Sequence, residues 1–510
     1  MRSKPTRVVA LVAAVAAIAG VSAGCSPSTD PSASDVDHEF TMGVTQAVQG
    51  WDPYRCVGAT RTVLTSVYDT LTRITPDGTS EPSLAESWEY ETPTRFTLTL
   101  REGVEFADGT AVDATVVKAN LDRSVATPTA VTAQFAADQP TITAVSDREV
   151  AIDLAKPDPD LPYLLANCGG MIVHPELVAD PDRMASDVDG TGPYTLDADA
   201  SIADSTYVFA KKDGYWNSDA YPFAKVTFSV IPDANAMISA LLSGEIDIAN
   251  GTFQNAPQVE AAGKSAIYEN VSPFAILLND RAGELVPALG DVRVRQALNY
   301  AIDRPAIIET LFGGNGRATP QIPAVGVPGY DASLDERYPY DPEKAKQLLA
   351  EAGYPDGFSL TVLTTSVNQF DTFVAAVSDY WAKIGVQVNQ NVADFSTFFA
   401  GITTTDYPAV FQPLRGVPPY TTLNTYFGPT ARNNPFGSTD EEFRTSMDAA
   451  AAGDEDALRD ASERLLDEAW YVSAGFNAQY IFFDPTKVTG LKMLNSDNTP
   501  LFYDWRPPGA

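Results

Sequence analysis

Residues 231 to 250, IPDANAMISALLSGEIDIAN, spell out a complete strand–helix–strand unit. Ile231 ends a strand, and the carboxylate of Asp233 is placed to accept the unpaired N–H groups at a helix start. Met237, Ile238, Leu241 and Leu242 recur at helical spacing and make one apolar face. Gly244 tolerates the left-handed backbone that closes a helix, and the short strand IDIA follows. The grammar returns in DVRVRQALNYAIDRPAIIETLFGG, residues 291 to 314, which encodes two helices. Val294, Leu298 and Ile302 pack the first. Asp303 opens the second, with Pro305 in its first turn, where a missing N–H does little harm. YDPEKAKQLLAEAGYPDG, residues 340 to 357, repeats it: Asp341 caps, Pro342 opens, Ala345, Leu348 and Leu349 pack, and Gly353 terminates. In RFTLTLREGVEFADGT, residues 95 to 110, Phe96, Leu98 and Leu100 alternate as in a half-buried strand. Asp113 then caps a helix through ATVVKANLDR. Strands alternating with capped helices restrict the chain to α/β domains.

The first residues are of another kind. Arg2, Lys4 and Arg7 precede an uncharged stretch, VVALVAAVAAIAGV, residues 8 to 21. A basic start, a short apolar stretch and small residues at its end make a secretory signal over residues 1–24. The stretch is short for a membrane span; an uncleaved anchor is the alternative. Ser22-Ala23-Gly24-Cys25 resembles a bacterial lipobox, with Ser22 where Leu is usual. That resemblance implies a lipid on Cys25. The tail SPSTDPSASDVDHE is rich in Ser, Pro and Asp, so residues 25–37 are expected to act as a disordered tether.

Roughly 470 residues remain, too many for one core, so two or more domains are expected. A net charge of −33 argues against nucleic acid and anionic lipid as partners, since both demand basic patches. The acids are scattered and serve solubility. Cys56 and Cys168 either pair in the oxidising space outside the cytoplasm or stay as buried thiols. With His38 and His174 as the only histidines, no zinc spacing exists; neither a metal nor a cofactor is expected.

Taken in order, six segments resemble one family. They are VYDTLTRITPDGTSEPSLAESWEY (67–90), FTLTLREGVEFADGT, GTGPY (190–194), KDGYWNSDAYPFAKVTFSVIPDANAMISALLSGEIDIA, DVRVRQALNYAIDR and YDPEKAKQLLAEAGYPDG. The family is the extracytoplasmic solute-binding proteins of ABC importers, family 5, the dipeptide, oligopeptide and nickel type. The resemblance implies a two-lobed, periplasmic-binding-protein-like α/β fold. Lobe one would be about 38–280 plus 480–510, with an inserted subdomain near 81–186. Lobe two would be about 286–478. The crossings would lie near AILLND, 275–280, and NAQYIFF, 477–483. It also implies hinge closure over an oligopeptide or peptide-like solute, delivery to the permease subunits, and a monomer anchored outside the cytoplasmic membrane.

The resemblance places the cleft at DPYRCVGAT (52–60), FQPLRGVPPYTTL (411–423) and SAGFNAQY (473–480). The expected ligand-binding residues are Tyr54, Arg55, Gly58, Phe274, Asn279, Arg415, Tyr420 and Phe476. Peptide-binding members carry a carboxylate in the second segment to hold the free amine. Here Arg415 stands there, which suits an anionic solute or sugar conjugate; a structural salt bridge or a solvated loop is the plain alternative. Asp406 lies slightly earlier, in a turn or as a displaced amine partner. A hydrolase would need His174 and has no G-x-S-x-G elbow, so no enzyme is expected. A sensor on the same fold is the remaining alternative.

Overall fold

The computed structural model describes residues 38–510, apart from 57–59, 77, 130–131, 368–369, 416–417, 495–496, 502, 504 and 510. The expected signal, the tether, Cys25 and Gly58 lie outside the described residues. The aspartate caps form: Asp233 accepts the Ala236 N–H at 2.8 Å, and Gly244 ends that helix at φ 78°. Asp113, Asp303 and Asp341 cap the helices Ala114–Ala126, Arg304–Phe312 and Pro342–Glu351 in the same way. The strand expected at 246–249 forms as Ile248–Gly251, two residues later.

Two long antiparallel strands, Ser265–Leu278 and Tyr471–Phe483, run side by side through the middle of an 11-stranded sheet. On one side the sheet continues through Ala409–Pro413, Ser359–Thr365 and Gln387–Ala393. On the other it continues through Ile248–Gly251, Glu39–Val44, Lys225–Val230, Thr206–Lys211 and Tyr194–Leu196. The long strands change neighbours along their length. Residues 274–278 pair with Ala409–Pro413, whereas residues 480–483 pair with Ile248–Gly251.

Separate apolar cores lie on the two sides. One gathers residues from Phe274 to Ala474, with Trp381, Phe373 and Phe398 fully buried. Another gathers Phe40, Phe209 and Phe228 with Trp505 near the far end of the chain. A third, between Leu71 and Ile172, packs the four-stranded sheet of Ala85–Thr92, Arg95–Leu100, Glu149–Asp153 and Thr141–Ala144 against the helix Ala114–Ala126. The first two cores are the bodies of two lobes, and the long strands join them.

The register of the long pair breaks between Asn270 and Ser272 and again between Phe274 and Ala275. Both breaks lie just before the segment 275–280 expected as the crossing. The physical reason is local. Pro273 has no N–H to give a ladder, whereas Ala275, Ile276, Leu277 and Leu278 are wholly buried among lobe-two side chains. Buried Arg304 strengthens that lobe by donating to the carbonyls of Ser473 and Tyr338 and to the Asn299 side chain, at 2.8 Å each. Among the described residues no helix is long and apolar enough to cross a membrane.

Candidate functional site

The strand crossing holds a cavity of about 360 Å³ lined by Pro76, Glu269, Asn270, Arg317, Ala324, Val325 and Phe476. Glu269 and Asn270 come from the outgoing long strand and Phe476 from the returning one. Arg317 comes from the two-residue strand Arg317–Ala318, which pairs with Phe476 and Gly475. Segments of both lobes thus meet at one hollow. Bends and irregular pairing at the crossing leave room there that a regular ladder would fill.

The lining is mostly apolar, with an acid, an amide and a guanidinium set among Pro76, Ala324, Val325 and Phe476. Burial holds the Glu269 carboxyl above the usual carboxylate range. Arg317 directs its Nη2 to Asp335 at 2.6 Å, while its Nη1 is buried without a partner. Asn270 Oδ1 is likewise buried and unpaired. Two more orphans sit at adjacent register positions: Asn477 Oδ1, opposite Ser272, and Gln412 Nε2, opposite Ala275. Buried polar atoms are almost always paired, so the two orphans of the lining, Arg317 Nη1 and Asn270 Oδ1, mark groups that a bound molecule or water satisfies.

The segment 411–423 is hung on this crossing. The Leu414 N–H donates to the Pro273 carbonyl at 2.9 Å, and Ser272 Oγ donates to the Leu414 carbonyl at 2.7 Å. Arg415 follows, exposed, and makes no ion pair among the described residues. Tyr420 is half-buried, and its phenol is pushed up by burial and by the nearby Asp158 and Asp160. Asp406 is exposed in a turn and accepts from Thr404 Oγ1 at 3.0 Å.

Three expected cleft residues are core residues in this conformation. Tyr54 is 1% exposed and donates its hydroxyl to the Asn120 carbonyl at 2.7 Å, because the helix Ala114–Ala126 covers it. Phe274 packs edge-on against Phe312, Phe370, Phe373 and Phe411, so its ring belongs to the lobe-two core. Asn279 is wholly buried beyond the lobe-two end of the long strand, several residues past the crossing. Arg55 is exposed, 3.9 Å from the Asp52 carboxylate. Of the expected residues that are described, Phe476 alone lines the cavity. Glu269, Asn270 and Arg317 were missed by sequence reasoning. The signal that could have found them is Pro273 inside an otherwise apolar strand, which marks broken pairing.

Cys56 and Cys168 form a disulfide that ties the segment after Asp52 to the subdomain. His174 is a capping residue: its Nδ1 accepts the Glu176 N–H at 3.2 Å and its ring packs on Phe106.

Two long strands thus join two bodies, with a hollow where segments of both meet. The model of the bacterial extracellular solute-binding proteins, family 5, matches residues 79–434. The chain belongs to this family, whose members are substrate-binding proteins of ABC importers, outside the cytoplasm. It is 27% identical over 443 residues to the heme-binding protein A of Haemophilus influenzae, covering 76% of this chain and 77% of that one. It is 32% identical over 322 residues to the glutathione-binding protein GsiB of Salmonella paratyphi A, covering 61% of this chain and 60% of that one. The fold matches the solved structure of HbpA2 from Haemophilus parasuis with a TM-score of 0.80 at 23% identity, covering 92% of this chain and 99% of that one.

Proposed function

We propose that this chain is the monomeric, lipid-anchored receptor of an ABC importer, held by Cys25, and that it takes a peptide or peptide-like zwitterion into the cavity at the strand crossing. The observation that carries this reading is one cavity that brings together the Glu269 carboxyl, Arg317 with its unpartnered Nη1, and the orphan Asn270 Oδ1. Glu269 supplies the carboxylate that the segment 411–423 lacks, and it suits a free amine. Arg317 Nη1 suits carboxylate or carbonyl oxygens. The likeness to a glutathione-binding protein supports a peptide-like solute. The lobes, divided near residues 271 and 477, close about the crossing, and a solute stabilises the closed form by its differential affinity for it. Closed receptor then docks on the permease.

A second reading is favoured by Arg415, exposed beside the crossing without an ion pair among the described residues. It makes the solute an anionic small molecule or sugar conjugate. Native mass spectrometry of protein purified from a peptide-rich host, followed by denaturation, separates the two. A co-purified peptide mixture is the expected result. A single anionic non-peptide ligand, lost on Arg415→Ala, would sink the peptide reading.

A further inference from the structure

Asp160 stands at the N-cap position of the short helix Leu161–Leu165, yet its side chain makes no capping bond there. Its Oδ2 instead accepts the backbone N–H of Thr421 at 2.7 Å, across 261 residues of sequence. Thr421 lies in the first turn of the helix Pro419–Phe427. That helix has Pro418 at its own N-cap, with no side-chain acceptor to offer. A helix start leaves N–H groups unpaired, and here the missing acceptor is supplied from elsewhere in the fold.

The two partners belong to different bodies. Leu161 and Leu165 pack in the core of the subdomain, whereas Leu423 and Phe427 pack in the core of lobe two. One turn further on, Tyr163 rests against Ala324, Val327 and Phe476 of lobe two. The stretch 160–163 therefore touches the opposite lobe twice, once by a hydrogen bond and once by an aromatic ring.

We propose that Asp160 is a positioning residue for solute capture: by capping Pro419–Phe427 across the cleft, it holds the segment 409–427 against the subdomain and favours the closed arrangement of the lobes. This rests on the reading of capture by lobe closure, and it adds a latch that acts before any solute arrives. The groups facing Asp160 are Asp158, whose Oδ1 accepts the Asp160 N–H at 2.9 Å, and Thr421 with Tyr420 from lobe two. Behind them stand Asp138, carboxyl to carboxyl with Asp158, then Tyr90, whose hydroxyl donates to the Asp158 carbonyl, with Lys156 and Asp448 further out. Burial and the charge of Asp158 hold the Asp160 carboxyl up at about 7. The Thr421 hydrogen bonds act in the other direction, favouring the ionised carboxylate that accepts them.

The test uses the protein without added solute, so its failure would leave the solute reading to its own experiment. Amide hydrogen exchange at Thr421 and the radius of gyration from X-ray scattering are compared for wild type, Asp160→Ala and Asp160→Asn at pH 5.5 and 8.5. Asp160→Ala should lower Thr421 protection about 10-fold, the worth of one capping bond, and enlarge the molecule. Asp160→Asn keeps an acceptor oxygen without the charge. It should retain most of the protection, and wild type should hold Thr421 at both pH values. Unchanged protection and size in a folded Asp160→Ala protein overturn the latch. Should that variant fail to fold, a Thr421 N–H that exchanges in wild type as fast as an unbonded amide overturns it too.

Discussion

Gly475 and the carbonyl of Arg317 approach so closely that a Cβ on the glycine would lie 1.8 Å from that oxygen. The backbone of Gly475 also stands at φ +130°, a region open to glycine and strained for other residues. The close approach is what lets Arg317–Ala318 pair with Gly475 and Phe476 and bring the Arg317 guanidinium to the cavity.

Gly475→Ala should therefore act on stability and on the site together. Backbone strain alone should lower the unfolding free energy by about 1–3 kcal/mol, and displacement of Arg317 should weaken solute binding beyond that. Urea unfolding and calorimetric titration of the co-purified solute check the pair of effects. A variant as stable as wild type would show that this approach is not needed.

Glu269 offers the sharper test of the site, since it makes no ion pair among the described residues. Glu269→Gln keeps its size and removes the charge. An amine-bearing solute should lose affinity by about 10-fold or more, as expected for a hydrogen bond to a charged partner, with little change in unfolding midpoint. Equal affinity would place the solute amine elsewhere.

The Cys56–Cys168 bridge joins residues separated by 112 positions. Closing so long a loop removes freedom from the unfolded chain, so Cys56→Ser with Cys168→Ser should lower stability by about 3–5 kcal/mol. Chemical denaturation of both forms measures it. A loss under ~1 kcal/mol would mean that packing alone holds the two segments, against the loop-entropy expectation.

Asp138 and Asp158 share one buried site in the subdomain, and burial followed by the charge of Asp158 pushes Asp138 up to about 7. The Asp158 carboxyl is raised as well, by burial. A raised carboxyl favours the folded form when protonated. Its contribution is full below the ordinary carboxylate range and is lost as pH rises through about 7. Wild type should thus lose unfolding free energy between pH 5 and pH 8, and Asp138→Asn should flatten that slope. The same slope in both proteins would assign the pH dependence to other groups.

Much of this molecule could be read in one dimension. The capped helices, the strand at 95–100 and the family itself came from local pattern, because caps, periodicity and turn residues act within a few positions of each other. The cavity did not. Glu269, Asn270 and Arg317 carry no motif; they meet because two strands break register beside a proline and a glycine admits a third strand. Tyr54 and Phe274 look like cleft walls in the sequence, yet neighbours distant in the chain bury them. Asp160 reads as the cap of its own short helix, and tertiary packing gives its carboxylate to Thr421 instead. Sequence alone determined which elements form and which family they assemble into. The tertiary structure decided which polar atoms are left without partners and which lobes they join, since pairing across hundreds of residues depends on packing that no local pattern encodes.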